Sequence, residues 1–194
     1  GAIIPFIAET GGLNGMFVDT TALREQVIDD VINSAFGSAG QRCSALRVLC
    51  VQEDAADRVV EMLQGAMGEL RVGNPDQLAT DVGPVIDAQA KSDIESYIDT
   101  MRSQGHRVTR LDLPPECRHG HFVAPTLIEV SRVQDLSREV FGPVLHVLRY
   151  ARKDLDGLLA QINTLGFGLT FGVHTRLDET VAHVSERIHA GNIY

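Results

Sequence analysis

Apolar positions along this chain follow two alternating rhythms. One recurs near every fourth residue and the other comes in short unbroken runs, as expected of helices interleaved with buried strands. An apolar run from Ile3 to Ala8 opens the chain as a strand. Asp19-Thr20-Thr21, a cluster favoured at helix starts, is followed by Leu23, Val27, Val31 and Ala35 at every fourth position until Gly37, predicting a first helix. Arg47 to Gln52 (RVLCVQ) reads as a short buried strand. A second helix fits from about Asp54 to Leu70, with Val59, Leu63, Met67 and Leu70 on one face.

Asn74-Pro75-Asp76 and Gly83-Pro84 mark a loop. A third helix is predicted from Asp87 to about Ser103, facing inward through Ile94, Tyr97, Ile98 and Met101. LDLPPECRHGHF then reads as an exposed loop. Val144 to Tyr150 is a strand, Leu155, Leu158, Leu159 and Ile162 line a helix, and LTFGVHT (Leu169 to Thr175) is a further strand. A last helix, Asp178 to about His189, leads into a strand beginning at GNIY. The alternation predicts an α/β fold, a layered sheet with helices packed on it.

Composition narrows the function. The chain has 194 residues, 44% hydrophobic and 22% charged, the profile of a folded domain with a real core. A net charge of −9, with no run of Lys and Arg longer than two, argues against nucleic acid or an anionic membrane surface as partner. No stretch approaches the ~20 apolar residues of a membrane span. The opening lacks the basic segment of a signal peptide. Three scattered cysteines, Cys43, Cys50 and Cys117, make no disulfide framework, and their odd number points to a reducing, cytoplasmic setting. The absence of an initiating Met and the halt at GNIY lead to the expectation that residues 1–194 are one domain cut from a longer chain.

Cys43 stands in GSAGQRCSALRV, among small residues. On local sequence it fits a packed small residue as well as a reactive thiol. Gly37, Ser38, Ala39 and Gly40 leave little bulk above it, however, and Arg42 adds positive charge that favours thiolate if directed at the sulfur. Cys50 lies in an apolar strand pattern and reads as core; Cys117 reads as a loop bystander. A cysteine nucleophile needs a base. Glu9, between an apolar run and Gly11-Gly12, is either a solvated strand end or that base. The seven histidines show no metal-ligand spacing; His119 and His121 read as a solvated loop pair, and no metal is assigned.

AETGG (Ala8 to Gly12) followed by GQRCSA (Gly40 to Ala45) resembles the paired signatures of the aldehyde dehydrogenase superfamily. Glu9 precedes Cys43 by 34 positions, the family's usual spacing. EVFGPVL (Glu139 to Leu145) is similar to the downstream motif of that family, and GFGLTFGV (Gly166 to Val173) to its aromatic-Gly-Leu segment. The four span the chain in the family's order. Leu13-Asn14 after the first glycines and Ser44 after the cysteine look like the proline-catabolic branch, the glutamate-γ-semialdehyde dehydrogenase half of bifunctional proline utilization A enzymes.

The resemblance implies a layered α-β-α catalytic domain with a mostly parallel sheet. It makes Cys43 the nucleophile and Glu9 the base. Glu139 and Phe141 become contacts to the nicotinamide ribose or ring of NAD, Thr10 and Gly11 offer backbone contacts near the nicotinamide, and Ser44 binds the substrate carboxylate. Ser44 fits a turn cap equally well. On the same resemblance the dinucleotide-binding domain and the oxyanion asparagine lie upstream, the aldehyde anchor loop lies downstream, and 1–194 alone is inactive. The implied partners are a small aldehyde, the upstream domain and further copies in a homo-oligomer. A flavin, FAD, belongs to a separate proline dehydrogenase domain if the parent is bifunctional. Three other readings stay open: another aldehyde dehydrogenase, such as a succinate semialdehyde enzyme; a silent scaffold of the same fold; and a cofactor-free esterase or acyl transferase using the same cysteine.

Overall fold

The computed structural model describes residues 11–136, 138–166 and 168–194. In chain order the elements are β1 (Gly15–Val18), α1 (Arg24–Phe36), β2 (Val48–Gln52), α2 (Glu53–Gly68), α3 (Ala88–Ser103), β3 (Arg107–Arg110), β4 (Thr126–Val130), β5 (Val144–Tyr150), α4 (Leu155–Thr164), β6 (Thr170–His174), α5 (Asp178–Arg187) and β7 (Asn192–Ile193). The strands form one seven-stranded sheet in the order β3-β4-β5-β2-β1-β6-β7. Every neighbouring pair is parallel except β3 with β4, so the antiparallel strand is confined to one edge. The crossover from β1 through α1 to β2 runs one way along the sheet, and that from β5 through α4 to β6 runs back. Right-handed crossovers in opposite directions place their helices on opposite faces, which produces the layered α-β-α arrangement.

Local chemistry explains most boundaries. Asp87 caps α3 by accepting from the Ala90 N–H at 2.8 Å, and Ile94, Tyr97, Ile98 and Met101 form its buried face as the periodicity predicts. The first helix begins later than expected. Asp19 does not cap it: its buried carboxylate accepts from the N–H and hydroxyl of Thr21 and from the hydroxyl of Thr175 beyond β6. Leu23 therefore stands exposed at the helix entry, and the buried stripe is Val27, Ile28, Val31, Ala35 and Phe36.

LDLPPECRHGHF is less exposed than its composition suggests. Pro115–His119 coil into a short helical turn that buries Cys117, whose thiol faces the Val72 carbonyl. Cys117 is thus core, not a bystander, and burial raises its pKa. Cys50 is core as expected, its thiol pushed up to about 12 by burial. Strands β1, β3 and β4 have no counterpart in the pattern reading, and the expected strand at Ile3 to Ala8 lies outside the described residues.

One buried polar chain ties α3 to the sheet. His146, on β5, is fully buried. Its Nδ1–H donates to the Arg47 carbonyl at 3.0 Å, so Nε2 is left to accept from the Tyr97 hydroxyl at 2.8 Å. Burial pushes its pKa down to about 4, so the ring is neutral at pH 7. In the unfolded chain the same imidazole takes up a proton near ~6.5. The unfolded state therefore binds more protons between those two values, and stability is lost as pH falls through that window. Urea unfolding of the full-length protein is expected to show ~2 kcal/mol less stability at pH 5 than at pH 7 from this group, with a flatter dependence in His146→Gln.

Candidate active site

Three loops meet at the amino ends of adjacent parallel strands: Gly11–Asn14 before β1, Gln41–Arg47 before β2, and Arg138–Pro143 before β5. Open α/β sheets ordinarily bind ligands at the carboxyl ends, so fold alone would direct attention to the wrong edge.

The cysteine loop leaves α1 through an unusual turn. Ser38, Ala39 and Gly40 have φ of 56°, 53° and 66°, three consecutive left-handed residues. Non-glycine residues pay about 1–2 kcal/mol each for this conformation, so the surrounding contacts must hold it. At Gly40 no side chain is possible, because a Cβ would fall 2.2 Å from the Gly142 carbonyl oxygen. Cys43 then lies exposed in a tight turn closed by the Ala45 N–H donating to the Arg42 carbonyl at 3.1 Å. The Arg42 guanidinium donates to the Asn33 and Ser34 carbonyls at the end of α1, where a cation suits the helix dipole. Its charge is thus committed to the helix end, and the condition attached to it for favouring thiolate is not met by this contact. Gln41 anchors the loop from the other side, donating to the Pro84 carbonyl at 3.2 Å and accepting from the Ile86 N–H at 2.8 Å.

Asn14 holds the cysteine turn to the sheet. Its buried Nδ2 donates to the carbonyls of Cys43 at 2.7 Å and Ala45 at 2.9 Å, while Oδ1 accepts from the Thr170 N–H at 3.0 Å. Its own carbonyl accepts from Arg47 and Val48. Just before it, the Gly12 N–H donates to Glu139 Oε2 at 3.1 Å, and a Cβ added at Gly12 would meet Asn14 Oδ1 at 3.1 Å and the Cys43 carbonyl oxygen at 3.3 Å. Gly11 is glycine for a steric reason: a Cβ there would meet Glu139 Oε2 at 2.8 Å.

Glu139 is further held by Arg47, whose Nη2 donates to Oε1 at 3.3 Å. The same guanidinium donates to the Gly142 carbonyl at 3.1 Å and to the Arg42 carbonyl at 3.3 Å, and lies 5.3 Å from the centroid of Phe141. Arg47 is fully buried; burial lowers its pKa, with Glu139 opposing that shift. Phe141 keeps 46% of its surface exposed. A fixed pair of acceptor oxygens beside an open aromatic face, in a cradle that a Gly11 side chain would fill, suits a polyol joined to a flat ring.

The structure therefore brings Cys43, Glu139, Phe141 and Gly11 into one neighbourhood. Ser44 is exposed and lines a 410 Å³ cavity with Arg42, Asp30, Thr170 and Tyr194. Glu9 and Thr10 lie outside the described residues. No cluster of metal-ligating side chains occurs among the described residues, and no described helix is long and apolar enough to cross a membrane. A larger cavity, 850 Å³, lies between segments 70–84 and 112–122 and includes none of the residues named for chemistry. Asn14, Gln41 and Arg47 were not singled out in the sequence for a site role. For Arg47 a signal existed: an arginine opening an apolar strand must find partners if it is buried.

Replacing Asn14 by Ala orphans two carbonyls and an N–H. Unfolding of the full-length protein is expected to lose at least ~2 kcal/mol, and iodoacetamide is expected to label Cys43 at a changed rate.

Comparison with known proteins follows the same lines. The family model described as "Aldehyde dehydrogenase family" matches residues 1–194. The chain is 57% identical over 199 aligned positions to the bifunctional protein PutA of Escherichia coli (strain K12), covering 100% of this chain and 15% of the relative. It is 34% identical over 190 positions to a 1-pyrroline-5-carboxylate dehydrogenase of Geobacillus sp. (strain WCH70), covering 97% and 36%. It superposes on a crystal structure of a bifunctional proline utilization A protein with a TM-score of 0.94 and 50% identity, over 100% of this chain and 19% of that one. For an apo betaine aldehyde dehydrogenase mutant from Staphylococcus aureus the TM-score is 0.87 at 27% identity, over 95% and 38%. The chain thus spans about 15% of the length of its PutA relatives.

Proposed function

The chain belongs to the aldehyde dehydrogenase family, and we propose that it is the cysteine-bearing catalytic domain of an NAD-dependent L-glutamate γ-semialdehyde dehydrogenase. The substrate is the open form of pyrroline-5-carboxylate, and the product is L-glutamate, the second step of proline catabolism. The observation that carries this reading is the convergence of Cys43, Gly12 and Glu139 at one strand edge, in a chain 57% identical to PutA relatives throughout its length. The 34% identity to a protein named 1-pyrroline-5-carboxylate dehydrogenase favours the same substrate.

Cys43 acts as thiolate. Its sulfur bonds to the aldehyde carbon, and the carbonyl electron pair moves to oxygen, giving a tetrahedral thiohemiacetal anchored on the cysteine. NAD, when bound, supplies the acceptor for the hydride that leaves that carbon. Cys43 is then left as a thioester. Glu9 removes a proton from water as its oxygen attacks the acyl carbon; the C–S bond breaks, the acid leaves and the thiolate returns. Glu139 would receive the ribose hydroxyls as hydrogen-bond donors, and Phe141 would pack beside ribose or ring. The fixed carboxylate and its exposed aromatic neighbour fit such a group. Thr10 and Gly11 would add backbone contacts near the nicotinamide, and Ser44 would donate to the substrate α-carboxylate, a charge-assisted bond.

The dinucleotide-binding domain, the oxyanion asparagine and the anchor loop would come from other parts of the full protein. A FAD-bearing proline dehydrogenase domain, a homo-oligomeric state and a cytoplasmic setting belong to the same proposal.

The test is NADH formation by the full-length protein with glutamate γ-semialdehyde. Cys43→Ala is expected to lower turnover by at least ~10³-fold, and Glu9→Ala to release one equivalent of NADH in a burst and then stall. Full NADH production by Cys43→Ala would overturn the proposal.

A further inference from the structure

Arg47 is unusual among the residues around the cysteine: it is a cation with no exposed surface, drawn into a junction of loops. Each of its terminal nitrogens is committed. Nη1 reaches the Gly142 carbonyl, in the loop that carries Glu139 and Phe141; Nη2 is shared between the Arg42 carbonyl, in the cysteine turn, and Glu139 Oε1. Glu139 passes the connection to a third loop through the Gly12 N–H. The guanidinium carbon lies over the Phe141 ring, 5.3 Å from its centroid.

Stability alone does not account for this arrangement. Taking an arginine fully out of water costs several kcal/mol, and its ion pair with a carboxylate does not in general repay more than an apolar replacement would. Here Nε is buried with no hydrogen-bond partner among the described residues, which adds to the cost. What the guanidinium does supply is direction. A free glutamate side chain samples many rotamers; Glu139 has one oxygen held by Gly12 and the other by Arg47, so its carboxylate plane is set in advance.

Arg47 is itself seated by its backbone. Its N–H donates to the Asn14 carbonyl, and its carbonyl accepts from both the N–H and Nδ1–H of His146, with Tyr97 behind. Cation, carboxylate and ring are thus fixed relative to the sheet.

We infer that Arg47 is the positioning residue of the cofactor face, setting Glu139 and Phe141 together against the cysteine turn. This rests on the reading above in which Glu139 and Phe141 face NAD. Arginine is required because a lysine, one point charge, pairs with Glu139 without also holding the Gly142 and Arg42 carbonyls.

The experiment is a double-mutant cycle in the full-length protein with Arg47→Lys, Glu139→Gln and both. The NAD dissociation constant is read by calorimetry, beside the KM for aldehyde and the thermal midpoint. Each single variant is expected to weaken NAD binding about tenfold, with the double variant close to the worse single one rather than a hundredfold down. The KM for aldehyde is expected to stay within about twofold, a split that a general loss of structure would not give. Unchanged NAD binding in Glu139→Gln means the cofactor face is misassigned, and the Arg47 role falls with it. Weakened binding in Glu139→Gln with none in Arg47→Lys, or with effects that multiply, overturns the Arg47 role alone. If Arg47→Lys does not fold, Arg47→Gln takes its place in the cycle. Glu139→Gln also gives an independent check, because it leaves the buried guanidinium without its counter-charge. Its thermal midpoint is expected to fall, and an unchanged midpoint contradicts the coupling.

Discussion

A parallel sheet satisfies its strands through the ladder but leaves the backbone of the loops at its amino ends without ladder partners, and buried polar groups must be paired somewhere. In this chain backbone pairs such as Arg47 with Asn14 do part of this, and side chains do the rest. Asn14 closes the gap between β1, β2 and β6, spending its amide on Cys43, Ala45 and Thr170. The cysteine turn is placed by that one carboxamide and by Gln41, which keeps it against Pro84 and Ile86. The left-handed run at Ser38–Gly40 is the conformational cost of delivering the turn to that spot, and the lack of room for any Cβ at Gly40, which would fall 2.2 Å from the Gly142 carbonyl oxygen, shows how little space the delivery leaves.

The charged half of the site obeys the same constraint in a harsher form. Arg47 and Glu139 face each other in a region that excludes water from one partner entirely and leaves the other side chain 14% exposed. The backbone carbonyls of Gly142 and Arg42 accept from the guanidinium's two terminal nitrogens as well. Neutral His146, kept unprotonated by burial, avoids placing a second cation next to the first. The Cys43 turn and the Glu139 carboxylate are therefore joined by one connected set of hydrogen bonds.

How much of this the sequence revealed depends on the range of the interactions. Elements set by local rhythm were legible: β5 runs over the predicted Val144–Tyr150, and α3 buries the four residues its periodicity named. Strands β1, β3 and β4 were not; β3 (RVTR) has four residues and is polar at both ends, leaving no period to count. The order of motifs pointed to Cys43, Gly11, Glu139 and Phe141, which the fold brings together. Asn14 reads in sequence only as a mark of the proline-catabolic branch and Arg47 only as the start of an apolar strand, because the structural meaning of both lies in partners far along the chain. Arg42 shows the converse: its charge beside Cys43 in sequence is used at a helix end in space.

The central claim is that an acyl group passes through the Cys43 sulfur. Rapid-quench mass spectrometry of the full-length Glu9→Gln protein, mixed with glutamate γ-semialdehyde and NAD, addresses it directly. The account predicts a γ-glutamyl thioester on the peptide carrying Cys43, formed only when NAD is present and stoichiometric with NADH. NADH formation with no acyl mass on that peptide, or an acyl group on Cys50 or Cys117 instead, would contradict it.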